Sequence, residues 1–299
     1  MSRGGRSDIR EVAPVARSVG DDVRQPTGTR GPQVPMDRVA LPRGDQRQPI
    51  ALRDRTYRLR GSEARILATV GTFRVVRADD LQAMRTSRDA WTGDLRSLLD
   101  QGLVETRTVD INHHATAVVV LTSDGVSLLE AHRDHADDGR RSQQFHAGLV
   151  KPREVAHDAQ LYRLYQAEAA RIHDEGGRVV RVVLDYELKH DYQTFLNRAD
   201  RPDDATTDDD RRAFAASRGL PIVDGHLALP DLRVEYETED GRLAYRDLEL
   251  VTEHYSRGQL ASKAQAGFTC YRAAGAGRGR GGSSKTGGTP FDPHHLERL

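Results

Sequence analysis

Between Ser62 and Arg133 the hydrophobic period of the chain switches from helical to alternating and back, which leaves few folds open to it. Ser62–Phe73 carries Ile66, Leu67 and Val70 on one helical stripe. Ala78–Met84 reads as a short second helix, and Thr86 and Ser87 offer a hydroxyl N-cap to a third, Asp89–Gln101. Within the third, Trp91, Leu95, Leu98 and Leu99 fall at i, i+4, i+7 and i+8, one buried face, and Gly102 stops the helix. Leu103–Val109 and Ala117–Thr122 are β-rich runs around a polar tip, Asp110-Ile111-Asn112-His113-His114, and predict a hairpin. Ser123–Arg133 returns as a fourth helix.

Three helices, a hairpin and a closing helix make a winged helix-turn-helix. The "GLV" break and the "LTSDG" that follows the hairpin resemble the MarR-like branch of winged-helix proteins. A third helix with a polar face beside a wing fits the DNA major groove. Arg85, Arg88 and Arg96 lie at the start and outer face of that helix, with Thr92 beside them, and His113 and His114 lie at the wing tip. These six are the expected DNA-binding residues, through phosphate or guanine contacts. Winged helices also serve as protein–protein modules, and the charge leaves both uses open. Residues 61–133 hold 8 Arg and no Lys against 10 Asp plus Glu, a net of −2, so the module lacks a basic footprint.

The chain of 299 residues suits about two domains. Its zero net charge is unevenly spread: residues 1–60 carry 13 Arg against 7 acids, and residues 272–299 carry 5 basic residues against 2 acids. Both ends are rich in Arg and Gly without hydrophobic period, so 1–58 and 273–299 are expected to be disordered tails. One cysteine, Cys270, rules out an internal disulfide and suits a reducing cytoplasm. The longest apolar run, Ala117–Leu121, is too short to span a bilayer, and the Arg-studded N-terminus has no apolar signal-peptide core.

After a linker at 137–151, a second folded region is expected at 152–272. His157–His173 is an amphipathic helix that ends at Gly176-Gly177. Arg178–Lys189, Leu229–Glu237 and Arg242–Val251 read as strands, the last two joined by Glu239-Asp240-Gly241. Ser256–Tyr271 reads as a closing helix, and 191–224 as an acidic insertion with Asp208-Asp209-Asp210 opening a short helix. Period two sorts Val180, Val182, Leu184, Leu232, Val234, Leu248 and Leu250 onto one face. The other face collects Asp185, Glu187, Asp231, Arg233, Glu235, Glu237, Asp247 and Glu249. Such carboxylates suit a divalent ion, Mg²⁺ or Mn²⁺, and equally the wet face of an antiparallel sheet.

His157 opening the core helix, Pro230-Asp231 at a strand start, Asp247-Leu248-Glu249 in the next strand, and Lys263 and Tyr271 in the last helix carry a second resemblance. Together with the preceding winged helix, they resemble the replication-relaxation family of plasmid and mobile-element proteins, whose C-terminal half is similar to the PD-(D/E)XK nuclease fold. The resemblance spans Leu59 to Arg272. It implies an α+β protein, a winged helix followed by an α-β-β-β-α nuclease-like domain. It implies Asp231 and Glu249 as metal carboxylates, Glu168 as an assisting acid, and an ion that activates water against a phosphodiester. The family pattern has a lysine two residues after the second acid; Val251 stands there, and Lys263 in the next helix is the expected substitute.

No histidine–cysteine spacing fits zinc, and no phosphate-loop or dinucleotide fingerprint follows a strand, so no nucleotide cofactor is expected. The leading expectation is a cytoplasmic DNA-binding protein of a plasmid or mobile element, with a nuclease-like domain that need not be active. Double-stranded DNA is its partner, with a second copy of the chain as a further one, and it has no membrane segment. The alternative is a winged-helix transcription regulator with a C-terminal dimerisation or sensing module.

Overall fold

Alternation begins earlier than expected. The computed structural model describes residues 39–82, 88–111, 114–133, 142–148, 154–251, 255–272 and 297–298, with backbone alone at 82, 88–92 and 297–298. Strands Gln48–Leu52 (β1) and Arg55–Leu59 (β2) pair antiparallel within the stretch expected to be a disordered tail. Ile50, Leu52, Tyr57 and Leu59 pack on the core, with Tyr57 and Leu59 buried, and Arg53 takes the turn at φ 51°. The rest of the tail expectation, at 1–38 and 273–296, lies outside the described residues.

Helix α1 (Gly61–Phe73) starts where the Glu63 carboxylate accepts from the Arg60 N–H at 2.9 Å. Val76–Arg77 (β3), Ala78–Gln82 (α2), Arg88–Asp100 (α3), Val104–Ile111 (β4), His114–Leu121 (β5) and Ser123–Ala131 (α4) follow. The three strands form one antiparallel sheet in the order β3-β5-β4. The Thr122 hydroxyl caps α4, accepting from the Gly125 N–H at 3.1 Å. Gly125 is required there: a Cβ would sit 2.1 Å from the Leu103 carbonyl oxygen.

The second region begins with the long helix α5 (Val155–Asp174) and strand β6 (Arg178–Leu184). The strand was expected to run to Lys189. Instead the chain turns into α6 (Asp185–Leu196), where Asp185 and Lys189 pair at i,i+4 and Glu187 is drawn inward to Arg181. The insertion continues as α7 (Thr207–Arg218), capped by Thr206 with Asp209 as its capping-box partner and ended by Gly219 in the left-handed region. A small ladder, Ile222–Val223 (β7) and His226–Leu227 (β8), leads to β9 (Leu232–Glu237) and β10 (Leu243–Val251).

The expected closing helix is two elements. Helix α8 (Arg257–Gln265) ends at Gly267, φ 79°, with the Phe268 N–H donating to the Lys263 carbonyl. Thr269–Arg272 is strand β11, parallel to β10, and Glu297–Arg298 (β12) pairs beyond it. The sheet order is β12-β11-β10-β9-β6.

The architecture is mixed α+β. One sheet face carries Val182, Leu184, Leu232, Val234, Leu248, Leu250 and Tyr271 in a cluster with Leu161, Tyr162, Leu164 and Tyr165 of α5. The opposite face is not simply wet: Val183, Leu188, Phe214 and Leu220 form a second core there, under the insertion. Arg181, Arg233, Asp247 and Glu249 are buried on that side.

The same large cluster runs from Val39 to Tyr271. The Phe73 ring lies 5.2 Å from that of Tyr162 and 5.1 Å from that of Tyr165. Part of the expected linker is a strap across this junction. Gln143 exchanges two 2.9 Å hydrogen bonds with the Val182 backbone, Phe145 is buried, and the His146 N–H donates to the Gly71 carbonyl. No helix among the described residues is long and apolar enough to cross a membrane.

Candidate functional site

The pairing Leu248↔Leu232 sets Glu249 opposite Asp231, which directly precedes β9. Backbone N–H groups link the two acids. The Leu250 N–H donates to Asp231 Oδ2 at 2.8 Å, and the Asp231 N–H lies 3.4 Å from Glu249 Oε2. Lys263 comes from α8 and donates to Glu249 Oε1 at 2.8 Å and to the Leu229 carbonyl at 2.9 Å. Tyr255 donates to the same Glu249 oxygen at 2.5 Å. From the first turn of α5, His157 sets Nε2 at 3.2 Å from Asp231 Oδ2 and Nδ1 at 3.5 Å from Asp158 Oδ1.

The electrostatics divide the two acids. Burial favours the neutral form of Asp231, yet the hydrogen bond and charge of His157 outweigh it and hold the carboxyl below its usual range. Burial and the neighbouring Asp231 charge push Glu249 up, against Lys263 and Tyr255. Burial would lower His157, but Asp158 and Asp231 raise it to about 10. The centre thus interleaves acids and bases: His157 lies between Asp158 and Asp231, and Lys263 lies on Glu249.

Two carboxylates on adjacent strands are hard oxygen ligands of the kind Mg²⁺ and Mn²⁺ take. Among the described residues no three His, Cys, Asp or Glu side chains gather into a ready-made cage.

Of the four expected catalytic residues, Asp231, Glu249 and Lys263 come together. Glu168 does not join them: it is buried against Arg246 and Tyr271. Eleven residues separate it from His157 on α5, about 16 Å along the helix axis. Val251, where the resemblance would have a lysine, is buried. His157 takes the helix-borne place instead of Glu168. Sequence reasoning named it only as the opening of a helix, although the dipeptide His157-Asp158 beside a strand-start acid was a usable signal. Tyr255 lies after β10 in a stretch without periodicity, and nothing in the sequence marks it.

For the expected DNA contacts, Arg85 and His113 lie outside the described residues, as do the side chains of Arg88 and Thr92. Arg96 is exposed on α3 and bonds Asp100 at 3.3 Å. His114 is exposed at the start of β5. No family model, no curated protein and no solved structure matches this chain.

Proposed function

We propose that this chain is a DNA-binding protein with a nuclease-like centre, acting in the replication or transfer of a plasmid or mobile element. The juxtaposition of Asp231 and Glu249 on adjacent strands, with Lys263 on the same Glu249 oxygen, carries the reading. The order α5-β6-β9-β10-α8-β11, with an antiparallel meander and a final strand parallel to β10, supports a PD-(D/E)XK-type frame. The order β3-β5-β4 around α3 supports a winged helix. Asp231 and Glu249 would hold Mg²⁺ or Mn²⁺, which supplies Lewis-acid polarisation of a phosphate and a more acidic water. Lys263 offers an ammonium to a phosphate oxygen and fills the role of the lysine that Val251 replaces. Tyr255 and the backbone N–H of Leu250 fix the two carboxylates in their rotamers.

Supercoiled plasmid incubated with the protein and Mn²⁺ should become nicked or linear. EDTA, Asp231→Asn and Lys263→Met should each abolish the conversion. Intact plasmid with folded protein in both Mn²⁺ and Mg²⁺ would overturn the nuclease half of the reading. One observation favours a second reading, a transcription regulator: His157 and Lys263 already bond the two acids. A regulator would bind one short palindrome and stay inert with Mg²⁺.

A further inference from the structure

The chain leaves α1 through a strained turn. Arg74 has φ 63° and ψ −50°, and across it the Val75 N–H donates to the Phe73 carbonyl at 2.7 Å. This is the γ-turn of positive φ, which is rare and strained and which glycine takes more readily. Such strain persists only where the surrounding structure holds it, and it clusters at binding and catalytic sites. Here it aims a cation. The Arg74 side chain is buried, its guanidinium lies 5.1 Å from the centroid of the Tyr186 ring, and it pairs with Asp158 at 3.9 Å.

Tyr186 stands in the first turn of α6 and is 47% exposed. Arg74 covers one face of its ring, and His146 meets it edge-on, with centroids 5.8 Å apart and planes at 90°. Burial and the Arg74 charge push His146 down to about 4, so this second neighbour is uncharged at neutral pH. A large aromatic ring is thus clamped by two side chains and still meets solvent. Its neighbour Asp185 donates its N–H to the Asp231 carbonyl at 3.1 Å. Tyr186 therefore lies on the order of 10 Å from Asp231, about three nucleotide steps along a strand.

The charges around the ring do not suit a duplex. Asp185 is bonded to Lys189, Asp158 to Arg74 and His157, and exposed Glu154 lies near Lys189. This surface is not basic, and the stiff, highly charged backbone of a duplex finds no footing on it. An unpaired base does. Stacking reads the uncharged face of a base, and a flexible single strand can turn its phosphates outward.

We infer that Tyr186, clamped by Arg74 and His146, is a stacking platform for an unpaired nucleobase of a DNA strand arriving at the acidic centre. The inference rests on the DNA-binding, nuclease-like reading above and adds its substrate class: DNA opened or ending beside Asp231 and Glu249, with the paired part left to the winged-helix region.

Binding in EDTA tests this without any cleavage. One probe is a blunt duplex of the sequence that the protein enriches from a random pool; the other is the same duplex with an unpaired thymine extension. Wild type should bind the extended probe roughly 5- to 150-fold more tightly, the worth of one stacked base. Tyr186→Ala should bring the two probes level, and Tyr186→Phe, which keeps the ring, should preserve the difference. Arg74→Gly relaxes the turn and removes the clamp, so the difference should shrink. With 5-iodouracil in the extension, light should crosslink the strand to the tryptic peptide Val182–Lys189. No preference for the extension in wild type, or a preference that Tyr186→Ala retains, overturns the platform while duplex binding stands. No enriched sequence and no binding of either probe overturns the DNA-binding reading and this inference with it.

Discussion

The hairpin-and-helix region, 48–131, and the sheet region, 155–272, bury charge in different ways. In the first, buried acids pair with arginines from distant segments. Glu63 pairs with Arg47, Asp94 with Arg60 and Asp80 with Arg163. In the second, charges sit on the sheet itself. Arg233 grips Asp247 with two hydrogen bonds, 2.6 and 2.8 Å, while Arg181 holds Glu187, Arg246 holds Glu168 and Lys263 holds Glu249. The first region is specified by where carbon goes and the second by which charge meets which. Only the first kind of specification is written locally in a sequence.

The largest expected effect tests whether the regions share one core. Phe73 closes α1 and packs edge-on to Tyr162 and tilted against Tyr165 of α5. Phe73→Ala should cost about 3–5 kcal/mol through the cavity it leaves. Thermal unfolding followed by circular dichroism should show one transition, moved down as a whole. Two separate transitions in wild type, with only the lower one shifted by the substitution, would break the shared core.

The next test separates charge from carbon. Arg233→Met alone leaves Asp247 buried without its partner and should cost about 3–5 kcal/mol. Arg233→Met with Asp247→Leu removes both charges and should recover most of that loss. Equal destabilisation in the single and double variants would show that Arg233 acts through its bonds to the Arg218 and Gly219 carbonyls instead.

These tests bear on what was legible. The stripe Leu95, Leu98 and Leu99, the alternation through β4 and β5, and the Gly219 and Thr206 caps of α7 are local patterns with a period or a cap to mark them. The turn of β6 into α6 was missed because Asp185–Leu188 continues period two; what redirects it is Asp185 bonding the Asp231 carbonyl, a partner far away in sequence. Strand β11 was missed because the spacing of Leu260, Ala264, Phe268 and Tyr271 also fits one helix, whereas Gly267 at φ 79° turns the chain out of α8 just before Phe268. At the site, Asp231 and Glu249 followed from motif resemblance. His157 carried the resemblance without a role at the site, and Tyr255 was not marked at all, since their places depend on how α5 and the segment after β10 meet the sheet ends.

The acidic centre sharpens the comparison through pH. Two neighbouring acids repel, and in the folded chain that repulsion falls on Glu249, while His157 holds the Asp231 carboxyl below its usual range. His157 is raised to about 10, so its contribution is complete below its unfolded value, about 6.5, and fades as pH rises towards 10. Asp231 is lowered, so its contribution is present above about pH 4 and lost as pH falls further. His157→Gln should therefore cost about 1–3 kcal/mol near pH 5–6. The gap from wild type should close by pH 10 in chemical denaturation. A gap that does not change with pH would make His157 a packing residue.

The smallest effect on stability belongs to the outer face of α3. Arg96 is exposed and bonds Asp100 four residues on, an arrangement worth at most about 0.5 kcal/mol. Arg96→Ala should leave the melting transition where it is. If Arg96 meets a base edge, duplex binding should weaken by roughly 1–3 kcal/mol, and only for the preferred sequence. If it meets phosphate, binding should weaken for every sequence and the salt dependence should fall by about one unit of slope. Gel-shift titrations of preferred and scrambled duplexes at two salt concentrations separate these outcomes. Unchanged binding in all four titrations would remove Arg96 from the interface.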